Sequence, residues 1–505
     1  MKRLTAPAAW LLLSLMLLGA FAACGDNNKK PPEPGSETLP DSKTEAIAES
    51  DVTTEFKLAP LDFNGETVSM LVTNRDASKD EFLAEGVNGA AINDAVYNRN
   101  VRVEQMLGVK LDVVLCPETT DAAVNNTVAA IVQSGIHSYD IVTAPSYTQV
   151  NAVAEGHFSD LSGIPNLDLS QPYWVSGYND IMNLNGRQYT CLGAYSISMI
   201  RMMNVIVYNK NLFEDKHIED LYEIAKAGDW TLDKQIEIIQ DTYEDSSGDS
   251  QRGDNDFYGF IAGGLVTLDP YLISSDVHIL GFNASEGAYE FVYDKDKFIS
   301  VVEKVHQLIS KNPNTWSVGD TSAVDTAFTP NKMNLFADLR GLMVGATVYQ
   351  IESVLTPSGF EGDYGIVPQP KFNKDQENYR TYVQDQMTVM AVVSTIPDDR
   401  LEMVGATMEG IAYESQETVF PAYYETSLSY RFLKNPESKY MIDLIYSNIS
   451  LETAILYSPI FGMITTLRTM LRSDAQNPST TLTIQSTIWK SKLKELNSKM
   501  ENIIH

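Results

Sequence analysis

The chain has 505 residues, with 37 Lys and Arg against 67 Asp and Glu, a formal net charge of −30. So acidic a chain, without a long basic run, is a poor match for nucleic acid, because phosphate contacts need clustered Lys and Arg. Hydrophobic residues make up 44% and there are only 3 cysteines, so an apolar core rather than a disulfide framework has to hold the protein together.

Met1-Lys2-Arg3 is a short basic start, and residues 8–18 are almost wholly apolar. That run is shorter than the ~20 residues of a membrane span, and its flanks are those of an export signal. Phe21-Ala22-Ala23-Cys24 resembles a bacterial lipobox. The resemblance implies a signal peptide over residues 1–23, lipidation of Cys24 and a position on the extracellular face of the cell membrane. Plain secretion after cleavage at Ala20-Phe21-Ala22 is the alternative. From Cys24 to Leu61 the chain is rich in Asn, Lys, Pro, Ser, Thr and Glu, a composition that reads as a flexible tether. Fully extended, it reaches on the order of 120 Å.

The body then alternates strand and helix patterns. Residues 68–72 read as a strand, followed by the polar loop Asn74-Arg75-Asp76. Ile92, Ala95, Val96, Arg99, Val103, Met106 and Leu107 keep helical spacing, with Gly108 placed as a C-cap. Residues 111–115 form the next strand, 122–132 a helix, and 139–144 a third strand. A β-α-β-α-β order predicts an α/β fold with a mostly parallel sheet, whose ligands sit beyond the carboxyl ends of the strands. That rule points to Asn74, Arg75 and Asp76 after the first strand and to Ser146 and Tyr147 after the third. Further on, 205–208 reads as a strand, Trp230-Thr231-Leu232-Asp233 opens a helix, and further helices cover 298–309 and 401–412.

Motifs for nucleophilic hydrolases, zinc proteases, P-loops and dinucleotide binding are absent from the sequence. Six histidines show no ligand spacing, and the aspartate-rich loop 245–256 lacks the EF-hand order, so neither a metal nor a cofactor is expected. Cys116 and Cys191 are expected as buried thiols, with pairing as the alternative.

Several segments resemble the sugar-binding branch of the extracellular solute-binding proteins of bacterial ABC importers, which includes the maltose-binding proteins. These are Asn185-Gly186-Arg187-Gln188-Tyr189 with Val207-Tyr208-Asn209-Lys210-Asn211-Leu212-Phe213, and then Gly228-Asp229-Trp230-Thr231-Leu232-Asp233. Ala327-Phe328 through Gly341-Leu342-Met343-Val344, Asp363 through Pro370, and Phe420-Pro421-Ala422-Tyr423-Tyr424-Glu425-Thr426 follow in the family's order. The resemblance implies a two-lobed periplasmic-binding-protein-like fold with interleaved lobes joined by hinge segments. Lobe I would be 62–188 and 364–412; lobe II would be 189–363 and 413–505. It implies a non-catalytic monomer that captures a small ligand, a mono- or oligosaccharide, in the interlobe cleft and passes it to ABC permease subunits. Asn74, Arg75 and Asp76 match the family's ligand loop, Asp269-Pro270-Tyr271 its acidic-Pro-aromatic segment, and Tyr349 stands near its stacking Trp. Asp385 and Gln386 fall where the chain re-enters the first lobe. An extracellular glycoside hydrolase, or surface glycan capture without transport, are the competing readings.

Overall fold

The computed structural model describes residues 58–504 apart from 59, 121, 264–267, 318–330, 361, 429–435 and 474–476. The signal segment, Cys24, nearly all of the tether and the Ala327-Phe328 motif therefore lie outside the described residues. At the tether's end Leu58 and Leu61 pack against the first-lobe core, so the globular body begins slightly earlier than expected.

Strand β1 (Glu66–Val72) leads into helix α1 (Ala91–Leu107), then β2 (Val109–Leu115), α2 (Ala123–Ser134), β3 (Ile141–Pro145) and α3 (Ser146–Ala154). β1 lies between β2 and β3 and runs parallel to both. Val68, Met70, Leu71 and Val72 are buried, the pattern of a strand covered on both faces. Gly108 ends α1 with φ +62°, a left-handed conformation that lets the chain turn directly into β2.

The chain then crosses into a second sheet. Its strands are β4 (Asn204–Asn209) and β5 (Tyr258–Ala262), then, after the hairpin β6 (Leu280–Asn283) and β7 (Ala288–Phe291), β8 (Thr315–Ser317), β9 (Gly341–Thr347) and β10 (Tyr364–Pro368). The order is β10-β4-β9-β5-β8, with β4 antiparallel to its neighbours and the other contacts parallel. β11 (Thr381–Tyr382) precedes β12 (Thr388–Val392), which returns to the first sheet antiparallel to β3. β13 (Ile449–Ser450) pairs with β11.

The crossings differ in place from the expected lobe boundaries. Residues 190–201 stay with the first sheet: Cys191 bridges Met390, and the Ser198 hydroxyl donates to Thr388 Oγ1 at 3.1 Å. Residues 364–368, assigned above to lobe I, form the second-sheet strand β10, because pairing with β4 buries Ile366 and Val367. Residues 413–428, assigned to lobe II, pack on α1, where Arg99 meets Ser415 and Arg102 meets Glu414. The first two crossings touch each other: the Gln384 N–H donates to Met202 O at 3.1 Å, and Met203 bridges Val383. A pair of short extended segments side by side is a hinge geometry.

Candidate functional site

Because β1, β2 and β3 are parallel and β12 opposes them, their loops 73–81, 116–122 and 146–149 gather with 384–387 at one edge of the first sheet. The corresponding edge of the second sheet carries the carboxyl ends of β5, β8, β9 and β10. The crossings join the sheets on that side, so the two sets of loops form a cleft.

Arg75 reaches across the first-lobe side and donates from Nη2 to Gln386 Oε1 at 2.6 Å, a contact between residues 311 positions apart. Asn74 and Arg75 are half-buried and Asp76 is exposed, ion-paired to Lys79 at 2.6 Å. The Ser146 hydroxyl donates to Asp385 O at 2.9 Å, and the Tyr147 N–H donates to the same carbonyl at 3.1 Å. The loops after β3 and before β12 are thereby locked together, with the Asp385 and Gln386 side chains half-buried above them.

Tyr349 enters from the second lobe. Thr347 caps the turn after β9 in a capping box with Gln350, and this orients the half-buried Tyr349. Burial pushes its phenol upward, and the Asp76 carboxylate of the opposite lobe acts in the same direction. Asn74, Arg75, Asp76, Ser146, Tyr147, Tyr349, Asp385 and Gln386 therefore share one region.

Asp269 and Tyr271 behave differently. Asp269 is fully buried and takes a bidentate contact from Arg468, with Nε at 2.9 Å from Oδ1 and Nη2 at 2.5 Å from Oδ2. Its oxygens are engaged by the guanidinium rather than offered to a solute. Tyr271 sits in the second-lobe core at 2% exposure. The helix Asp269–Ser274 is buried at every position, so this aromatic packs inward. Trp230 also packs inward, donating from Nε1 to Pro368 O at 2.8 Å.

Sequence reasoning missed Arg201 and Arg468. Arg201 ends the short helix Ile197–Arg201 beside the first crossing. Its Nη1 donates to Ala77 O at 2.8 Å and to Asp80 Oδ1 at 2.7 Å, and its Nη2 to Asp80 Oδ2 at 2.9 Å. Its Nε lies 3.4 Å from Glu352 Oε2, and the Tyr423 hydroxyl donates to Glu352 Oε1 at 2.6 Å. Glu352 follows β9, so first-lobe groups grip a second-lobe carboxylate next to Tyr349. A lone Arg before an apolar strand carries no sequence signal of such a role.

Arg201 and Arg468 are each neutralised by carboxylates. The region therefore offers amide, phenol, carboxylate and, from Arg75, guanidinium groups for hydroxyls, and an aromatic ring beside them, which suits a polyhydroxylated solute. Among the described residues no group of three or more His, Cys, Asp or Glu could hold a metal ion. Cys116 and Cys191 are buried free thiols. In the loop 245–256, Asp245 accepts N–H bonds from Gly248 and Ser250, and Asp256 from Gly253 and Ser247.

No family model matches the chain, and no curated protein matches it. Solved structures do. The galacto-N-biose/lacto-N-biose I-binding protein of a Bifidobacterium longum ABC transporter superposes with a TM-score of 0.54 at 12% identity, over 86% of this chain and 98% of that one. The chain has the fold of the ABC-transporter substrate-binding proteins. The acarbose-binding GacH receptor of Streptomyces glaucescens matches with a TM-score of 0.52 at 13% identity, covering 85% and 99%. The Listeria monocytogenes substrate-binding protein Lmo0181, solved with cycloalternan, gives 0.50 at 14%, covering 86% and 99%. The substrate-binding fold spans nearly the whole length of each match, with the two α/β lobes and their crossings as described above.

Proposed function

We propose that the protein is an extracellular solute-binding lipoprotein that captures a carbohydrate between its lobes and delivers it to an ABC importer. The observation that carries this reading is the convergence of Asn74, Arg75, Asp76, Asp385 and Gln386 from one lobe with Tyr349 from the other. A ligand touching both sets stabilises the closed arrangement over the open one, and that differential affinity is the whole mechanism of capture. The matched proteins were solved with lacto-N-biose, acarbose and cycloalternan, which supports the saccharide class here.

The protein acts as a monomer without cofactor or metal and does no chemistry on its ligand. It is held at the membrane by lipid on Cys24 and meets the permease subunits through its closed form. The test is a panel of neutral mono- and oligosaccharides, read by thermal shift and by product analysis. Saturable stabilisation with the sugar recovered intact is the expected result; release of hydrolysis products would make it a glycoside hydrolase instead. Cys24→Ala is expected to appear in the medium, and a variant that stays with the membrane fraction would refute the anchor.

A further inference from the structure

A surface cavity of about 550 Å³ lies on the second lobe at the edge of its sheet opposite the cleft, among the end of β4 and the starts of β9 and β10. Asn211, Asp215, Asn334, Asp338, Leu339 and Phe360 are among its lining residues. None of them belongs to the cleft.

Leu339 is the unusual one. It follows the helix Asn331–Ala337 in the left-handed conformation at φ +59°, closing it as the Leu339 N–H donates to Phe336 O at 3.0 Å and the Arg340 N–H to Leu335 O at 2.9 Å. That position of a helix end calls for Gly or Asn. The other non-glycine residues with positive φ among the described ones are Asn, Asp and His, the types enriched there, and one Ser. A leucine is strained there, and packing does not compensate, because its side chain is 52% exposed. Strain kept without local benefit points to a use for the side chain.

What surrounds it has a consistent chemistry. The Phe360 ring is fixed by stacking on Phe336, with centroids 5.7 Å apart at 26°, and by an edge contact with Tyr364 at 6.0 Å. Beside this apolar wall, the Asp215, Asn334 and Asp338 side chains have no hydrogen bond or ion pair to another described residue. Two free carboxylates with no paired cation repel an anion, while fixed apolar faces next to open acceptors fit the C–H face and hydroxyls of a sugar ring. We propose that this cavity is a second, weaker binding site for a neutral pyranose, independent of the interlobe cleft. It holds one terminal ring of a glycan on the outer flank of the second lobe, with Leu339 and Phe360 against the ring and Asp215 and Asp338 accepting its hydroxyls.

The test uses the mature protein carrying Tyr349→Ala and Asp76→Ala, which weaken the cleft, with methyl glucoside, methyl galactoside and N-acetylglucosamine at millimolar concentration, read by saturation transfer to the sugar protons. Leu339→Gly removes the side chain and relieves the backbone, and Asp338→Asn keeps the volume while removing an acceptor charge. The expected result is transfer to at least one sugar, reduced tenfold or more in both variants, with the thermal midpoint of Leu339→Gly raised. Transfer that persists in both variants would locate binding elsewhere and overturn the proposal. Transfer to none of the sugars would overturn the pyranose assignment, and a lowered midpoint for Leu339→Gly would overturn the strain argument. Because these residues lie away from the cleft, failure here leaves the capture reading standing, and failure of capture leaves this site testable.

Discussion

Arg201→Met tests the interlobe grip most sharply. The side chains of Arg201 and Glu352 are 7% and 8% exposed, whereas that of Asp80 is 39% exposed. Removing the guanidinium therefore affects the two carboxylates unequally: Asp80 regains water, but Glu352 remains a buried charge beside the Tyr423 hydroxyl. Breaking a buried pair by removing one partner costs about 3–5 kcal/mol, mostly from the uncompensated charge. Nearly all of that loss should belong to Glu352. Adding Glu352→Gln to Arg201→Met should then recover about 1–3 kcal/mol as coupling, while adding Asp80→Asn should recover little. Urea denaturation of six proteins (wild type, the three single variants and the two doubles), compared at constant slope, reads these differences directly. A loss below about 1 kcal/mol for Arg201→Met, or no recovery on adding Glu352→Gln, would refute the assignment of the grip to this pair.

Glu81 supplies a pH prediction: burial pushes its carboxyl up to about 8, against the hydrogen bond from the Ser198 N–H. The folded form holds a proton that the unfolded form releases near 4.5, so this contribution is complete below that value and declines as pH rises towards 8. Glu81→Gln should flatten stability between pH 5 and 8, a difference of up to about 4 kcal/mol across the window; an unchanged profile would contradict it. Tyr349→Ala and Asp76→Ala should each weaken solute binding tenfold or more with a near-normal unfolding midpoint, measured by calorimetry. Tyr271→Phe should leave binding unchanged, since that ring belongs to the core; a loss of affinity would return it to the site.

The first lobe was legible because its strands are continuous apolar runs separated by a helix of regular period and a glycine stop at Gly108. The lobe boundaries were not. Residues 364–368 form an apolar run that suits either sheet, and only pairing with β4 decides between them. Residues 415–419 and 422–428 adopt π-helical turns on α1, a geometry without a sequence signature. At the site, the loop after β1 followed from the strand-end rule, and Tyr349 sits behind a Thr-x-x-Gln capping box that is readable in sequence. The pairing of Asp269 was not legible, because its partner, Arg468, lies 199 residues away on an amphipathic helix. A distant cation that neutralises a candidate acid cannot be seen from local pattern.

Capture by closure of two lobes is read out by small-angle scattering of the mature protein with and without a saturating neutral oligosaccharide. Closure requires a smaller radius of gyration on binding, accompanied by stabilisation of about 2.7 kcal/mol at a hundredfold excess over Kd. Saturable stabilisation with an unchanged radius would contradict closure, and the absence of binding across the neutral saccharides would contradict the proposed ligand class.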